Sequence, residues 1–578
     1  MTQRRGRWRW VVGLLVALAV GRGMAGLVAG AAQADALGIR PSWRLLTAMD
    51  LSLRVLVAAV AALVLFANLL AVRHSIVSVV LPRQLGNLRF GEAVPMRLLT
   101  LGAAAFALAI GALFAFVDLD GRQVLLALHG VRFGATDPYL ERDLGWYLVG
   151  LPVEQALWET GGLLLAAAAV LTIALYSGTP SLRVRDGRLT ATGWVRRHLG
   201  VVGAVGLLFL AWHWRLERYE LLLTGRGAAS GFGAVEHRLI LPYLLGLTML
   251  GVGGAGIFLT AIWRGALRVG AGVLVVLLIL APVGRIGLAT FGPTFGSTAR
   301  AISDREVPYQ ATRARFTERA HGPVRDPAAA GAAALDSLRR MAPPGAIILP
   351  EGGRYRVVRD TTGRVAAPSL TTRRQRIVHA WALQNPRLLW AGGTPEDRVL
   401  LGADPWARVA RVAPFVRAAP IPRVVTHDGT TYWVLDLAIE AASYPLATPL
   451  ADRAEVVRYR REAGVALVDA MTGAVHVIPP ADPDPVLRAW MALVPDVFAS
   501  ARALPAGLDL ASGSAPSPAP ETVPATAGRP DAITGPASDL RSQAGALYEA
   551  METARRAGDW AAYGDAWRRL GILLGRVP

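Results

Sequence analysis

The chain contains no cysteine and no lysine. The first absence excludes a disulfide framework, a thiolate nucleophile and a cysteine metal site, and leaves the redox compartment open. The second excludes a P-loop of the usual kind, a Schiff-base mechanism and a Ser-Lys dyad. Neither an HExxH zinc site nor a G-x-S-x-G nucleophile elbow occurs, so no cofactor and no metal are expected. Hydrophobic residues are abundant. They make up 53% of 578 residues, with a mean hydropathy of +0.39, too apolar for an ordinary soluble protein of this length. The net charge of +19 rests on arginines that gather in the connections between apolar stretches. That distribution indicates membrane topology rather than a nucleic-acid partner.

Long apolar stretches recur up to Phe291, and the sequence after it has the composition of a soluble domain. The candidate spans are Trp8 to Ala31, Val55 to Val72, Leu98 to Val117, Ala156 to Tyr176, Leu199 to Trp214, Leu239 to Trp263 and Val269 to Phe291. Each approaches the roughly 20 residues that a helix needs to cross a bilayer. Arginines cluster before the first span, between the second and third, and between the fourth and fifth, at Arg4 to Arg9, Arg73 to Arg97 and Arg183 to Arg197. Those segments are expected to be cytoplasmic. The connection from Asp118 to Trp146 offsets its arginines with Asp118, Asp120, Asp137, Glu141 and Asp143 and is expected to face outward. Seven spans from a cytoplasmic N-terminus would then place everything after Phe291 outside the cell membrane. The first span and Ala32-Gln33-Ala34 also resemble a cleavable signal peptide, but Arg22 interrupts the stretch and a retained anchor is favoured.

The expected architecture is an α-helical integral membrane bundle of about seven spans (1–291), a helical connection (292–345), an extracytoplasmic α+β domain (346–507), a Pro/Ala/Ser-rich linker (508–538) and a C-terminal helical hairpin (539–578). Pro308 to His321 and Thr371 to Leu388 are predicted helical. Hairpins are predicted around His427-Asp428-Gly429 and Met471-Thr472-Gly473. Asp482-Pro483-Asp484-Pro485 lacks the spaced donors of a calcium loop and is expected to cap a helix from Val486 to Leu493. In the hairpin, Leu547, Met551, Trp560, Tyr563, Trp567 and Leu570 would share an apolar face, with Asp559 as a cap.

Candidate chemistry falls in two places. Arg22, Glu154, Glu159 and Arg285 lie in or near spans, where an ionised group is costly unless paired, wet or interfacial, so they mark either structural pairs or a transport path. The outward connection from His213 to Arg238 holds Glu217, Arg218, Tyr219, Glu220, Arg226, Glu236 and His237. These groups could bind a headgroup or perform acid–base work, with Gly225, Gly227, Gly231 and Gly233 permitting close backbone approach; a salt-bridged loop needs the same composition. The G-x-G-x-x-G spacing at Gly251 to Gly256 lies inside an apolar span and indicates close helix packing.

Several segments together resemble a large bacterial family of uncharacterised seven-span membrane proteins with a big extracytoplasmic domain. They are Phe133-Gly134 with Asp137-Pro138, Asp143-Leu144-Gly145-Trp146-Tyr147, Leu151-Pro152, Arg218-Tyr219-Glu220-Leu221 with Arg226-Gly227, Glu236 with Leu241-Pro242, and Glu306-x-Pro308-Tyr309. The resemblance continues at Glu396 to Leu400, Arg408, Ala413-Pro414-Phe415, Tyr432-Trp433-Val434, Tyr444-Pro445, Leu487 to Trp490 and Gly558 to Gly564. It implies a topology and no reaction. Relative to the family, the outer region between Gly322 and Arg373 is condensed, and the histidine near Glu236 is displaced to His237. The leading expectation is a non-enzymatic envelope protein whose outer domain binds an envelope component or another membrane protein. The alternatives are a transporter or channel component using Arg22, Glu154, Glu159 or Arg285, and an enzyme on a lipid-linked substrate using Glu217, Glu220, Glu236 and His237. The expected partners are the lipid bilayer and such an envelope component.

Overall fold

The apolar runs form helices because a chain in hydrocarbon must satisfy its backbone hydrogen bonds internally. In the computed structural model, α1 (Gln3–Ala36), α2 (Arg40–Val77), α3 (Met96–Phe114), α5 (Leu151–Ser177), α6 (Gly193–Thr224), α7 (Leu241–Arg264) and α8 (Leu267–Phe291) contain the seven helices long and apolar enough to cross a membrane. The short α4 (Gly121–His129) follows α3. The structure describes residues 3–77, 84–85, 88–89, 96–178, 182–185, 188–225, 231–291, 299–322, 338–350, 352–450, 455–499, 546–551, 553, 566–567 and 569–570. Most of the expected hairpin and the whole 508–538 linker lie outside these residues, as does Arg226.

Small residues set the helix spacing. A Cβ added at Gly111 of α3 would lie 2.7 Å from Ala62 Cβ of α2, and one at Gly251 of α7 would lie 2.9 Å from Ala211 Cβ of α6. The glycine-rich stretch at 251–256 is thus interior to α7 and packs helices together, as its setting predicts. Helices α5 and α7 begin with a wide turn closed by an i→i+5 bond, Trp146–Gly150 and Glu236–Ile240, followed by Leu151-Pro152 and Leu241-Pro242. Proline has no N–H to donate and its ring crowds the carbonyl four residues back, so the preceding turn opens.

After the bundle, α9 (Ala299–Ala320) leads to strands and short helices. Two short strand pairs, β1 (Gln84–Leu85) with β2 (Leu88–Arg89) and β3 (Leu182–Arg185) with β4 (Arg188–Ala191), lie between helices of the bundle; beyond it, β5 (Tyr355–Arg359) and β6 (Asp397–Leu401) pair and, with α10 (Arg373–Leu383), enclose Leu370, Ala380, Leu388, Val399 and Leu401. Thr372 and Gln375 form a capping box at the start of α10. Next come α11 (Pro405–Val412) and an antiparallel sheet in the order β11 (Val475–Ile478), β10 (Tyr459–Asp469), β9 (Thr430–Ala441), β7 (Arg417–Ala418), with β8 (Arg423–His427) also on β9. Both predicted hairpins form. Asp428 (φ 47°) and Gly429 (φ 75°) turn β8 into β9, and Gly473 (φ 70°) helps turn β10 into β11. The sheet packs on α11 and on α13 (Pro495–Ala499), which follows α12 (Pro485–Leu493), capped by Asp484 as predicted.

The sheet-bearing region sits on one end of the bundle. Leu446 N–H donates to Leu222 O at the end of α6 (2.7 Å), Arg122 donates to Pro414 O (2.8 Å), and Ser42 N–H donates to the Asp496 carboxylate (3.1 Å). Asp496 thereby places a negative charge at the N-terminus of α2, where the helix dipole favours it. One apolar cluster runs from Leu144, Leu216 and Leu244 through Tyr444 to Trp433 and Trp490. At the opposite end, between α5 and α6, the strands Leu182–Arg185 and Arg188–Ala191 form one antiparallel pair. Helix α1 packs on α10 as well as on α2, and Gln33 and Ala34 of its small-residue triplet are helical and buried. Residues 518–578 form a separate compact unit, in which 546–551 and 566–567 are helical; Met551 is buried and Trp567 exposed.

Candidate functional site

The connection between α4 and α5 is built around carboxylates. Asp137, with no exposed surface, accepts N–H groups of Tyr139 (2.9 Å), Leu140 (2.6 Å) and Arg142 (2.9 Å) and the hydroxyl of Tyr147 (3.0 Å). Asp143 accepts those of Phe133 (3.1 Å), Gly134 (3.1 Å) and Gly145 (2.7 Å). Both carboxylates are spent on their own loop, which explains the Asp-Pro and Asp-Leu-Gly-Trp-Tyr pattern as turn chemistry.

The loop before α7 is held in the same way. Glu236 is buried and accepts Gly233 N–H (2.9 Å), while Glu306 of α9 accepts Ala234 N–H (3.1 Å). His237 Nδ1 shares a hydrogen bond with Tyr309 Oη (2.9 Å). Rings of Tyr139, Phe232, His237 and Tyr309 cluster around them, with centroids 4.7 to 5.9 Å apart for the Tyr139 pairs. A side chain at Gly231 would collide with Arg313 and one at Gly233 with Glu306. The close approach that these glycines permit is made by the protein's own helix α9.

The remaining candidates divide into separate groups. Tyr219 is buried against Trp146 (4.6 Å) with the Arg215 guanidinium over its ring (5.6 Å). Glu220 accepts Gln155 Nε2 (2.7 Å), and Arg218 is half-buried with no partner for its Nε among the described residues. Glu154 pairs with Arg215 and accepts Trp212 Nε1 (3.0 Å); Arg285 pairs with Glu217. Arg22 and Glu159 are exposed and make no ion pair among the described residues. Glu154 and Arg285 are therefore engaged in two different inter-helix ion pairs, α5 to α6 and α6 to α8. Glu217, Glu220, Glu236 and His237 likewise have different partners. A further polar tie was not predicted: Tyr176 Oη and Asn68 Oδ1 flank His198 at 2.8 and 3.2 Å, linking α5, α6 and α2. Among the described residues no three of His, Asp and Glu come together as metal ligands.

Sequence reasoning missed an opening at the junction. A cleft of about 730 Å³ lies between the N-terminal half of α2, residues 118–123 and the end of α11. The Asp50–Arg54 ion pair (2.9 Å) lines it, with Arg54 also donating to Ala115 O (3.1 Å) just past the end of α3. Arg122 bridges Asp120 (3.1 Å) and Pro414 O, joining the two halves of the protein across it. Asp118, Gln123, Thr47 and Arg411 also line the cleft, and none makes a side-chain hydrogen bond among the described residues. Trp43, Leu46 and Val412 supply apolar walls. A second cleft of about 520 Å³ shares Asp120, Arg122, Gln123 and Pro414 and continues toward Tyr459 and Trp490. The Asp50/Arg54 spacing just before an apolar run was a visible cue; the partners from residues 411–414 were not.

Comparison with known proteins identifies relatives without an assigned activity. The sequence profile described as "Uncharacterised protein family (UPF0182)" matches residues 8–322 and 360–510. The two matched stretches leave out residues 323–359. A UPF0182 protein of Geobacter sp. (strain M21) is 36% identical over 163 residues, 28% of this chain and 18% of that protein. One from Synechococcus sp. (strain JA-3-3Ab) is 38% identical over 149 residues, 25% and 17% of the two chains. One from Desulforamulus reducens is 27% identical over 299 residues, 47% and 31%. The matched part of this chain thus spans less than a third of each of these relatives. No solved structure matches. With its profile match over most of both halves, its seven apolar helices and the sheet-bearing region beyond them, the chain belongs to the UPF0182 family of uncharacterised membrane proteins.

Proposed function

We propose that this protein is a multi-pass cell-membrane protein that binds an amphipathic envelope component on its outer side, in the cleft between the bundle and the sheet-bearing region. The single observation that carries the proposal is the composition of that cleft: helices that enter the bilayer and a loop of the sheet-bearing region build it together, and it holds unpaired polar side chains beside apolar walls. A pocket with a few convergent polar groups is the default location for a ligand. The outward orientation is supported by arginine-rich connections at the opposite end, since such segments are retained in the cytoplasm. An N-terminus in the cytoplasm and an extracytoplasmic sheet-bearing region follow from the same rule. The carboxylates of the loops around Asp137 and Glu236 act as scaffold, holding the outer ends of α5 and α7 in place.

Native mass spectrometry of the full-length protein, released from membranes in mild detergent, tests the proposal. A bound species is expected that is lost from an Asp118→Ala/Arg411→Ala variant of unchanged thermal stability. The same spectrum from both proteins would refute it.

A further inference from the structure

From the chemistry of this cleft we infer that its ligand is a phosphate-bearing lipid, with the headgroup in the cleft and the acyl chains along α2. The inference rests on the binding role proposed above and specifies its ligand.

Three observations lead to it. The first is depth: from Val55 to Val72, α2 carries no charged residue, so Arg54 marks the level at which this helix leaves the headgroup region for hydrocarbon. The part of the cleft lined by Arg54 is therefore at the height of a lipid headgroup. The second is the pattern of pairing. Arg54 and Arg122 are neutralised by Asp50 and Asp120, whereas Arg411 feels the charge of Asp404 only from beyond ion-pair distance and makes no side-chain hydrogen bond among the described residues. A free guanidinium next to the donors of Thr47 and Gln123 suits a phosphate, which accepts several charge-assisted hydrogen bonds. The free carboxylate of Asp118 complements the hydroxyl or ammonium group that a lipid headgroup carries beyond its phosphate, and would repel a bare dianion.

The third observation is the route for the chains. Leu51 and Val55 lie one and two helical turns below Thr47 on the same face of α2, and are 51% and 61% exposed. They continue the cleft as an apolar track into the hydrocarbon. A ligand that fills both parts must be amphipathic, and a free phosphate compound would leave the track unused.

The test is a thermal-shift titration of the full-length protein in neutral detergent with three probes: phosphatidylglycerol, glycerol 3-phosphate and diacylglycerol. Phosphatidylglycerol is expected to stabilise at concentrations at which the other two do not. Arg411→Gln should weaken its apparent affinity about ten-fold or more, as expected for a lost charge-assisted contact, without changing the midpoint in the absence of lipid. Asp118→Asn, which keeps the side-chain shape, serves as a second variant if Arg411→Gln fails to fold, and should alter the preference between phosphatidylglycerol and phosphatidylethanolamine. Equal stabilisation by glycerol 3-phosphate would make this a soluble-anion site, and equal stabilisation by diacylglycerol a merely apolar one; either result overturns the inference. So would an effect of phosphatidylglycerol that neither variant reduces. A cleft-dependent ligand without phosphate, found by native mass spectrometry, would overturn this inference and leave the binding role intact.

Discussion

Arg408 shows how far a single residue's role depends on distant backbone. Its side chain is fully buried on α11 and donates to the carbonyls of Gly473 (3.0 Å from Nε), Ala366 (2.8 Å) and Leu401 (3.4 Å), with no carboxylate among these partners. Burial pushes its pKa down to about 9, so it remains charged at neutral pH. Arg408→Ala would leave three carbonyls unsatisfied at the junction of β6, β10 and β11, and is expected to destabilise the protein by about 3 kcal/mol in chemical denaturation. Asp360 gives a pH-dependent counterpart. Burial alone would raise its carboxyl, but hydrogen bonds from Thr362, Arg398 and the 363 and 365 N–H groups outweigh this and hold it below the usual range. Its contribution is present above the unfolded value of about 3.9 and disappears as pH falls through the lower folded value. Asp360→Asn should remove that part of the acid transition followed by circular dichroism. The resemblance marked Arg408 in the sequence but could not show its purpose, because two of its three partners lie 42 and 65 residues away and all three are main-chain atoms.

At the scale of elements, composition revealed the helices better than their ends. Each apolar run became a helix, since the run itself is the physical cause. Helix α2, however, starts at Arg40 and not at the expected Val55, and α6 continues to Thr224 past the expected Trp214. Both extensions are polar segments kept helical by tertiary contacts, Ser42 with Asp496 and Leu222 with Leu446. The wide turns before α5 and α7 were legible only as Leu-Pro pairs. The loop leading into the second of them makes a sharp prediction: Gly233→Ala should lower stability by about 1–3 kcal/mol, because its new methyl meets the Glu306 carboxylate. Adding Glu306→Ala should recover part of the loss in a double-mutant thermal cycle, since removing the carboxylate makes room. Strictly additive losses would show that the clash is not the cause.

Within residues 1–517, a bundle and a sheet-bearing region are joined by a continuous apolar core, and the proposed site arises where they meet. Neither half contains it alone, which is why sequence reasoning placed the candidate residues on the loops around Arg218 and Glu236 and overlooked Asp118, Gln123 and Arg411. The absence of cysteine makes topology directly measurable. A cell-impermeant maleimide should label a Met471→Cys variant in intact cells and an Arg188→Cys variant only after permeabilisation; the reverse would place the sheet-bearing region in the cytoplasm. The most direct measurement for the binding site uses the same reagent on Gln123→Cys, at the point where the two clefts join, with Met471→Cys as the reference position. With the full-length protein in detergent, addition of lipid extracted from the native envelope should slow labelling at position 123 several-fold and leave position 471 unchanged. Equal labelling rates at position 123 with and without the extract would contradict a ligand-binding role for the cleft.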